Sequence, residues 1–298
     1  MLDKQIKMIK DHYKNSPDIV FRKIDIKSKK IVFVFNDTLC KGDNINDFIL
    51  KPLTNFDKKI TRDNILNHLE SQIPESNIVS IKDKDDLLIK IGSGFTVILF
   101  EKEKPFAVET RDVLSRNISE PLTEQTISGP KDAFTENYKT NIGLIRKRIK
   151  TSNLVLEEFD VGKETVTKVG IFYMDNIIEK DLLEEIKSRI KSINIDGIFD
   201  STYIREIIED NHSVFPTIET SERPDTTAMA LLDGKVCISV DGSPYFLIIP
   251  TFFTDLFHAS EDNYQNYKNV TFTRCIRFLA FLIAIVLPAF YIAIITYN

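Results

Sequence analysis

The sequence predicts an α/β protein of two related lobes followed by a membrane-spanning helix. Three observations carry this: strand-like runs of β-branched and aromatic residues alternating with helical patterns, a 25-residue order of elements that occurs twice, and an uncharged apolar run at the C-terminal end.

In chain order, LDKQIKMIKDHYK near the N-terminus reads as a polar helix, with a loop at Asn15 to Pro17, and no further element is expected before residue 28. KKIVFVFNDTLC, Lys29 to Cys40, suits a buried strand. Helical patterns follow at Asn44 to Leu53 and, behind a Thr61 cap, at Arg62 to Ile73, where Ile65, Leu66 and Leu69 share a face. Lys84 to Ile91 is a short helix stopped at Gly92.

The repeated order is DLLIKIGSGFTVILFEKEKPFAVET (Asp86 to Thr110) and TAMALLDGKVCISVDGSPYFLIIPT (Thr227 to Thr251). Each is an apolar helix, a glycine break, a strand, a polar turn and a second strand, with Phe106 matched to Tyr245. A helix feeding a hairpin is a common unit, so the echo is either coincidence or duplication; two related lobes are the reading adopted.

In the second lobe, LVLEEFDVG (Leu154 to Gly162) and TVTKVGIFYM (Thr165 to Met174) read as paired strands. Asp181 is expected to cap a helix with a stripe of Leu182, Leu183, Ile186, Ile190 and Ile193, and Asp200 to cap another through Glu209. Ser213 to Asp225 is expected to be a loop, with Pro224 in the first turn of the next helix, and Thr251 to Tyr267 an amphipathic helix.

From Phe278 to Asn298 there are 21 residues without a charge, twelve of them Leu, Ile, Phe or Val. That is close to the roughly 20 needed to cross a bilayer, and Pro288 is tolerated in such a helix. The span is marked by Phe278, Pro288 and Tyr297, and Lys268, Arg274 and Arg277 in front of it favour a cytoplasmic N-terminal side. The expected organisation is a first lobe at 1–120, a joint and linking helix at 121–150, a second lobe at 151–270 and a membrane helix at 274–298.

The net charge of −5 provides no broad positive field and argues against a nucleic-acid binder. Cys40, Cys237 and Cys275 form no CxxC pair, and His12, His68, His212 and His258 have no partner at helical spacing, so neither a disulfide framework nor a metal site is read. No nucleophile elbow, phosphate loop or cofactor signature is present; Gly92-Ser93-Gly94 reads as a helix stop. Asp83, Asp85 and Asp86 read as a helix start, and Asp196-Gly197 as a turn, with a lobe-edge carboxylate that contacts a ligand as the alternative reading. The signals for catalysis are therefore poor.

GPKDAFTENYKTNIGLIRKRIK, Gly129 to Lys150, is read as the joint. Gly129-Pro130 makes a turn, Asp132 is placed to cap a helix, and Phe134, Tyr138, Ile142, Ile145 and Ile149 form one apolar face. The basic residues Arg146, Lys147, Arg148 and Lys150 fall where the helix dipole favours cations, which accounts for them without an anionic ligand.

The run EPLTEQTISGPKDAFTENYKTNIGLIRKRIKTSNL resembles the signature region of the A subunits of spore germinant receptors, the GerA family. The resemblance continues through VGIFYMDNI, INIDGIFDSTYIREIIEDN, SERPD, ALLDGKVCISVDGSPYFLIIPT and FLAFLIAIVLPAFYIA, covering Glu120 to the C-terminal end. It implies a non-enzymatic receptor subunit of the spore inner membrane, working with B and C subunits and forming homo-oligomers in which A subunits conduct ions. Small nutrient germinants would trigger it directly or indirectly. The family continues through further membrane helices, so a truncated or split gene product is also expected here, and a tail-anchored scaffold is the rival reading. Within this frame Gly129, Pro130, Asp132 and Asn141 are candidate joint residues. Arg146, Arg148, Asp196, Glu222, Arg223 and Asp225 are candidate polar contacts between lobes or subunits.

Overall fold

A computed structural model describes residues 2–14, 16–26, 29–54, 56, 61–72, 78–112, 120–209 and 213–297. Asn15, Ile73, His212 and Asn298 lie outside the described residues. Two five-stranded antiparallel sheets organise the chain, each covered by helices on both faces.

The first lobe opens with α1 (Leu2–His12), then β1 (Ile19–Ile26) and β2 (Lys29–Asn36). Helices α2 (Gly42–Ile45) and α3 (Lys51–Thr54) are joined by a π-type turn, Asn46–Leu50, and followed by α4 (Arg62–Gln72). Then come β3 (Ile78–Ser80), α5 (Lys84–Gly92), β4 (Phe95–Phe100) and β5 (Phe106–Glu109), giving the strand order β1-β2-β4-β5-β3. Alternation along the strands divides the core. Ile31, Phe33, Ile98 and Phe106 face Ile49, Ile65 and Leu69, while Val32, Val34, Val97 and Leu99 face Ile9, Leu87 and Ile91.

The second lobe repeats the plan. It comprises α6 (Tyr138–Arg148), β6 (Leu154–Val161), β7 (Thr167–Met174), α7 (Lys180–Lys191), α8 (Ser201–Ile208), β8 (Glu219–Ser221), α9 (Pro224–Leu232), β9 (Val236–Val240) and β10 (Phe246–Ile249). Its strand order, β6-β7-β9-β10-β8, is that of the first sheet element for element. Ile171, Ile238 and Leu247 pack on Leu183, Ile186 and Ile204; Phe172, Phe246 and Ile248 pack on Ile142, Ile145 and Leu231. Helix α6 thus occupies in this lobe the place of α1 in the first.

The paired strands of the echoed hairpins match in register. Phe95 to Ile98 pair with Glu109 to Phe106, and Val236 to Ser239 pair with Ile249 to Phe246. The partner of Phe106 is therefore Phe246, one residue beyond the expected Tyr245, because the second turn is shorter and a lysine, Lys235, follows the glycine. Gly94 (φ +82°) and Gly234 (φ +84°) both end their helices in the left-handed region that glycine adopts without strain.

Strands β1, β3 and β8 were not expected: β1 is a charged edge strand, and β3 and β8 are three residues each, too short for a periodic signal. The stretch from Ser213 to Asp225 holds β8 and the start of α9, with Pro224 in its first turn. Thr251 to Tyr267 holds two 3-10 turns, Phe253–Phe257 and Ser260–Tyr264, in place of an amphipathic helix. Asp181 lies inside the first turn of α7 behind Glu179, whereas Asp83 and Asp200 do accept capping bonds, from the Asp86 and Thr202 amides.

The chain leaves the second lobe through α10 (Tyr267–Tyr297), 31 residues that continue through Pro288. This helix is long and apolar enough to cross a membrane, and its most apolar window is not buried against either lobe.

Candidate functional site

The helix expected to start at Asp132 starts at Tyr138, with Asn137 as its cap, accepting from the Thr140 amide at 3.0 Å. Asp132 instead pairs with Arg148 at 2.5 Å, and Asn141, fully buried, closes the intervening loop by accepting from the Thr135 amide at 2.8 Å. The apolar face read from Phe134 to Ile149 is buried as one cluster. Residues 120–137 form no helix and run as an irregular strap along the second lobe.

Two buried arginines organise the polar contacts. Arg146 in α6 is 1% exposed and reaches the first lobe, where Nε donates to Asp18 Oδ2 at 2.7 Å and Nη2 to Asp18 Oδ1 at 3.0 Å. It also donates to Ser16 Oγ and to the Leu154 carbonyl, while Asn36 donates to Asp18 from within the first lobe. Such a bidentate pair satisfies two charges that burial would otherwise penalise. Lys139 to Asp37 at 2.6 Å and Lys14 to Asp175 at 3.0 Å flank it in solvent.

Arg223, fully buried, is the second centre. Its guanidinium donates to the Glu124 and Pro130 carbonyls at 3.1 and 2.9 Å, to Thr126 Oγ1 at 3.0 Å and to Asp225 Oδ2 at 2.8 Å. Glu222 accepts from the Thr123 and Glu124 amides at 2.5 and 2.9 Å. Among the described residues the hydrogen bonds of Glu222, Arg223 and Asp225 fasten the strap and Tyr264 to their own lobe, whereas those of Arg146 cross to the first. Asp225 also accepts from the Tyr264 hydroxyl, and Glu261 accepts from the Ile127 amide at 2.7 Å. Gly129, at φ +113°, lies against the Tyr264 ring: a Cβ there would come within 2.6 Å of it. Asp196 stands apart, exposed, with its carbonyl accepting from the Glu164 amide at 2.8 Å beside the β6–β7 turn.

The last 3-10 turn is in turn locked to α10. Asp262, 3% exposed, accepts from Arg274 at 2.9 Å and from Arg277 at 2.9 and 3.0 Å. Burial alone would raise its carboxyl, but the hydrogen bonds from Arg277 and Arg274 outweigh that and hold it at about 2. For Asp225, likewise, burial is outweighed by Arg223 and Tyr264, and its carboxyl is lowered. Burial leaves Glu124 raised, partly offset by Ser221 and the Glu222 amide.

Between the strap, α9, the β8–β10 edge and the 3-10 turns lies a cleft of about 640 Å³ lined by Glu124, Thr226, Lys235, His258 and Glu261 among others. Among the described residues no group of three or more His, Cys, Asp or Glu is placed to hold a metal ion. The strap and the 3-10 turns escaped sequence reasoning because they lack periodicity; the one available signal was the concentration of charge in SERPD next to an apolar helix.

Duplicated α/β lobes whose second member is bound to a membrane-type helix define the extramembrane part of an integral membrane protein. The chain belongs to the GerA family: residues 7–298 match the family described as Bacillus/Clostridium GerA spore germination protein. Spore germination protein KA of Bacillus subtilis is 32% identical over all of this chain and 56% of that protein. Spore germination protein XA of Bacillus anthracis is 35% identical over 80% of this chain and 49% of that protein. The chain thus spans about half the length of the curated relatives it matches. Among solved structures, the N-terminal domain of the A subunit of the Bacillus megaterium spore germinant receptor GerK3 superposes with a TM-score of 0.65. It is 30% identical, with 85% of this chain and 96% of that one covered.

Proposed function

We propose that this chain is the N-terminal region and first membrane helix of an A subunit in a nutrient germinant receptor, and that it transmits a binding or assembly signal from its lobes to the membrane. The observation that carries the proposal is a pair of polar linkages that meet in the 3-10 turn Ser260–Tyr264: Glu124 and Pro130 to Arg223, and Asp225 to Tyr264, on one side, and Asp262 to Arg274 and Arg277 on the other. In this reading a movement of the strap reaches the root of α10 through that turn. Arg146 and Asp18 give the first lobe a hold on the same body.

In this reading the subunit acts in the spore inner membrane with B and C partners and further A copies, possesses no catalytic step, and contributes to an ion-conducting oligomer through helices of the whole receptor. The lobes face the spore core, in keeping with Arg274 and Arg277 at the start of the span. Spores lacking the gene, exposed to amino acids, sugars and nucleosides, are expected to lose the fall in optical density for at least one nutrient. An intact gene is expected to restore it, and an Arg223→Ala allele present at equal protein level is not. Unchanged responses to every nutrient in the deletion strain would refute the reading.

A further inference from the structure

The end of the second lobe nearest α10 carries an apolar lip. Val214, Phe215, Phe252, Phe253 and Leu256 are 93, 45, 58, 38 and 44% exposed. They lie side by side: the Thr251 amide donates to the Thr217 carbonyl at 2.8 Å, and the Phe215 and Phe253 rings are 4.9 Å apart. A water-soluble domain gains nothing by presenting such a patch.

The lip is continuous with the first turns of the apolar helix. Phe253 and Phe257 stack edge-on against Phe281 at 5.7 and 5.4 Å, and Phe257 against Phe278 at 5.4 Å. The uncharged run begins at Phe278, directly after Arg277. Phe281 is three residues further in, roughly 4.5 Å along the helix axis at about 1.5 Å per residue. Rings that pack on Phe278 and Phe281 must lie at the depth of those residues, on the membrane side of the Asp262–Arg277 pair. Beside the lip Asp255 pairs with Lys235 at 2.6 Å, with Lys235 5.9 Å from the Phe252 ring, and Asp255 also faces His258 at 3.9 Å. A cation beside an aromatic ring at a bilayer surface keeps its charge among headgroups while its stem and the ring stay apolar.

We infer that this lip is a membrane-surface wedge: Val214, Phe215, Phe252, Phe253 and Leu256 insert into the headgroup and upper acyl region of the lipid leaflet that α10 enters. The second lobe is then seated on the bilayer rather than hanging from a single helix, and tilting the lobe changes the lipid contact and the angle of α10 together. This rests on the reading of α10 as a membrane span.

The chain contains no tryptophan, so one introduced indole reports one position. The full chain is reconstituted in phosphatidylcholine vesicles in which bromine is carried either high in the acyl chain or at its end. Four single variants are compared: Phe252→Trp and Val214→Trp at the lip, Ile285→Trp within the apolar run, and Phe199→Trp at the opposite end of β10, where Phe199 is 71% exposed. Expected are blue-shifted emission at both lip positions, quenched more by shallow than by deep bromine, with the reverse preference at Ile285 and no quenching at Phe199. Having two lip positions guards against one variant misfolding. Lip indoles that remain water-exposed, or that are blue-shifted yet untouched by either bromine because protein covers them, overturn the wedge while a quenched Ile285→Trp leaves the span standing. No quenching at Ile285 either would overturn both readings.

Discussion

The junctions β3→α5 and β8→α9 occupy the same place in the two lobes and are built in opposite ways. In the first lobe, Ile81-Lys82-Asp83 leads into the helix and Asp83 supplies an ordinary exposed cap, its side chain accepting from the Asp86 amide at 2.8 Å. In the second lobe, Glu222-Arg223 leads into Pro224-Asp225, all four buried, and the charged groups hold the strap and Tyr264 instead of the helix terminus. Duplicated topology supplied two equivalent helix starts; the one beside the membrane helix exchanged local capping for long-range fastening. The difference puts the contacts that join the strap to the turn before α10 in the second lobe, while Arg146 holds the first lobe to it.

That contrast can be broken at graded cost. Arg223→Ala removes one partner of a buried pair and frees two strap carbonyls, so the second lobe is expected to lose about 3–5 kcal/mol, read as a lower urea midpoint with faster proteolysis within 120–130. Arg146→Ala strands Asp18 in the same way and is expected to cost a similar amount, but with the lobes separating while each sheet persists. Replacing Arg146 and Asp18 together by Met and Leu is expected to recover most of that loss, since a buried pair is rarely worth more than well-packed apolar groups.

Asp262→Asn weakens the bonds to Arg274 and Arg277, with an expected loss of about 1.5–3 kcal/mol at neutral pH. Because the Asp262 carboxyl is lowered from 3.8 to about 2, its contribution is complete above the unfolded value and disappears as pH falls through the folded one. Wild-type attachment of the 3-10 turn to α10 is therefore expected to weaken between about pH 4 and pH 2, as followed by circular dichroism and proteolysis, and Asp262→Asn is expected to flatten that dependence. Asp83→Ala, the counterpart in the first lobe, is expected to cost only about 1 kcal/mol. The solvated Lys139→Ala should change stability by less than about 1 kcal/mol. If Asp83→Ala proved as damaging as Arg223→Ala, the contrast between the junctions would be wrong.

Much of this architecture was legible in the residues. The Gly94 and Gly234 breaks, the flanking apolar helices and the hairpins showed the duplication because core strands and helices carry strong periodic signals. The edge strands β1, β3 and β8 were hidden because they expose polar residues or are very short. SERPD and the basic end of α6 stood out as charge, yet their assignment needed the fold. Arg146 spans 128 positions to Asp18 and Arg223 spans 97 to Thr126, pairings that no local pattern encodes. Asp132 misled for the same reason, since a good capping residue was taken up by Arg148.

The central claim, that Arg223 ties the strap to the root of the membrane helix, is tested most directly by hydrogen exchange on the full chain, comparing wild type with Arg223→Ala. Faster exchange is predicted at both 123–130 and 259–266, with 78–100 in the first lobe unchanged. Acceleration confined to the strap, or spread evenly through both lobes, would contradict it.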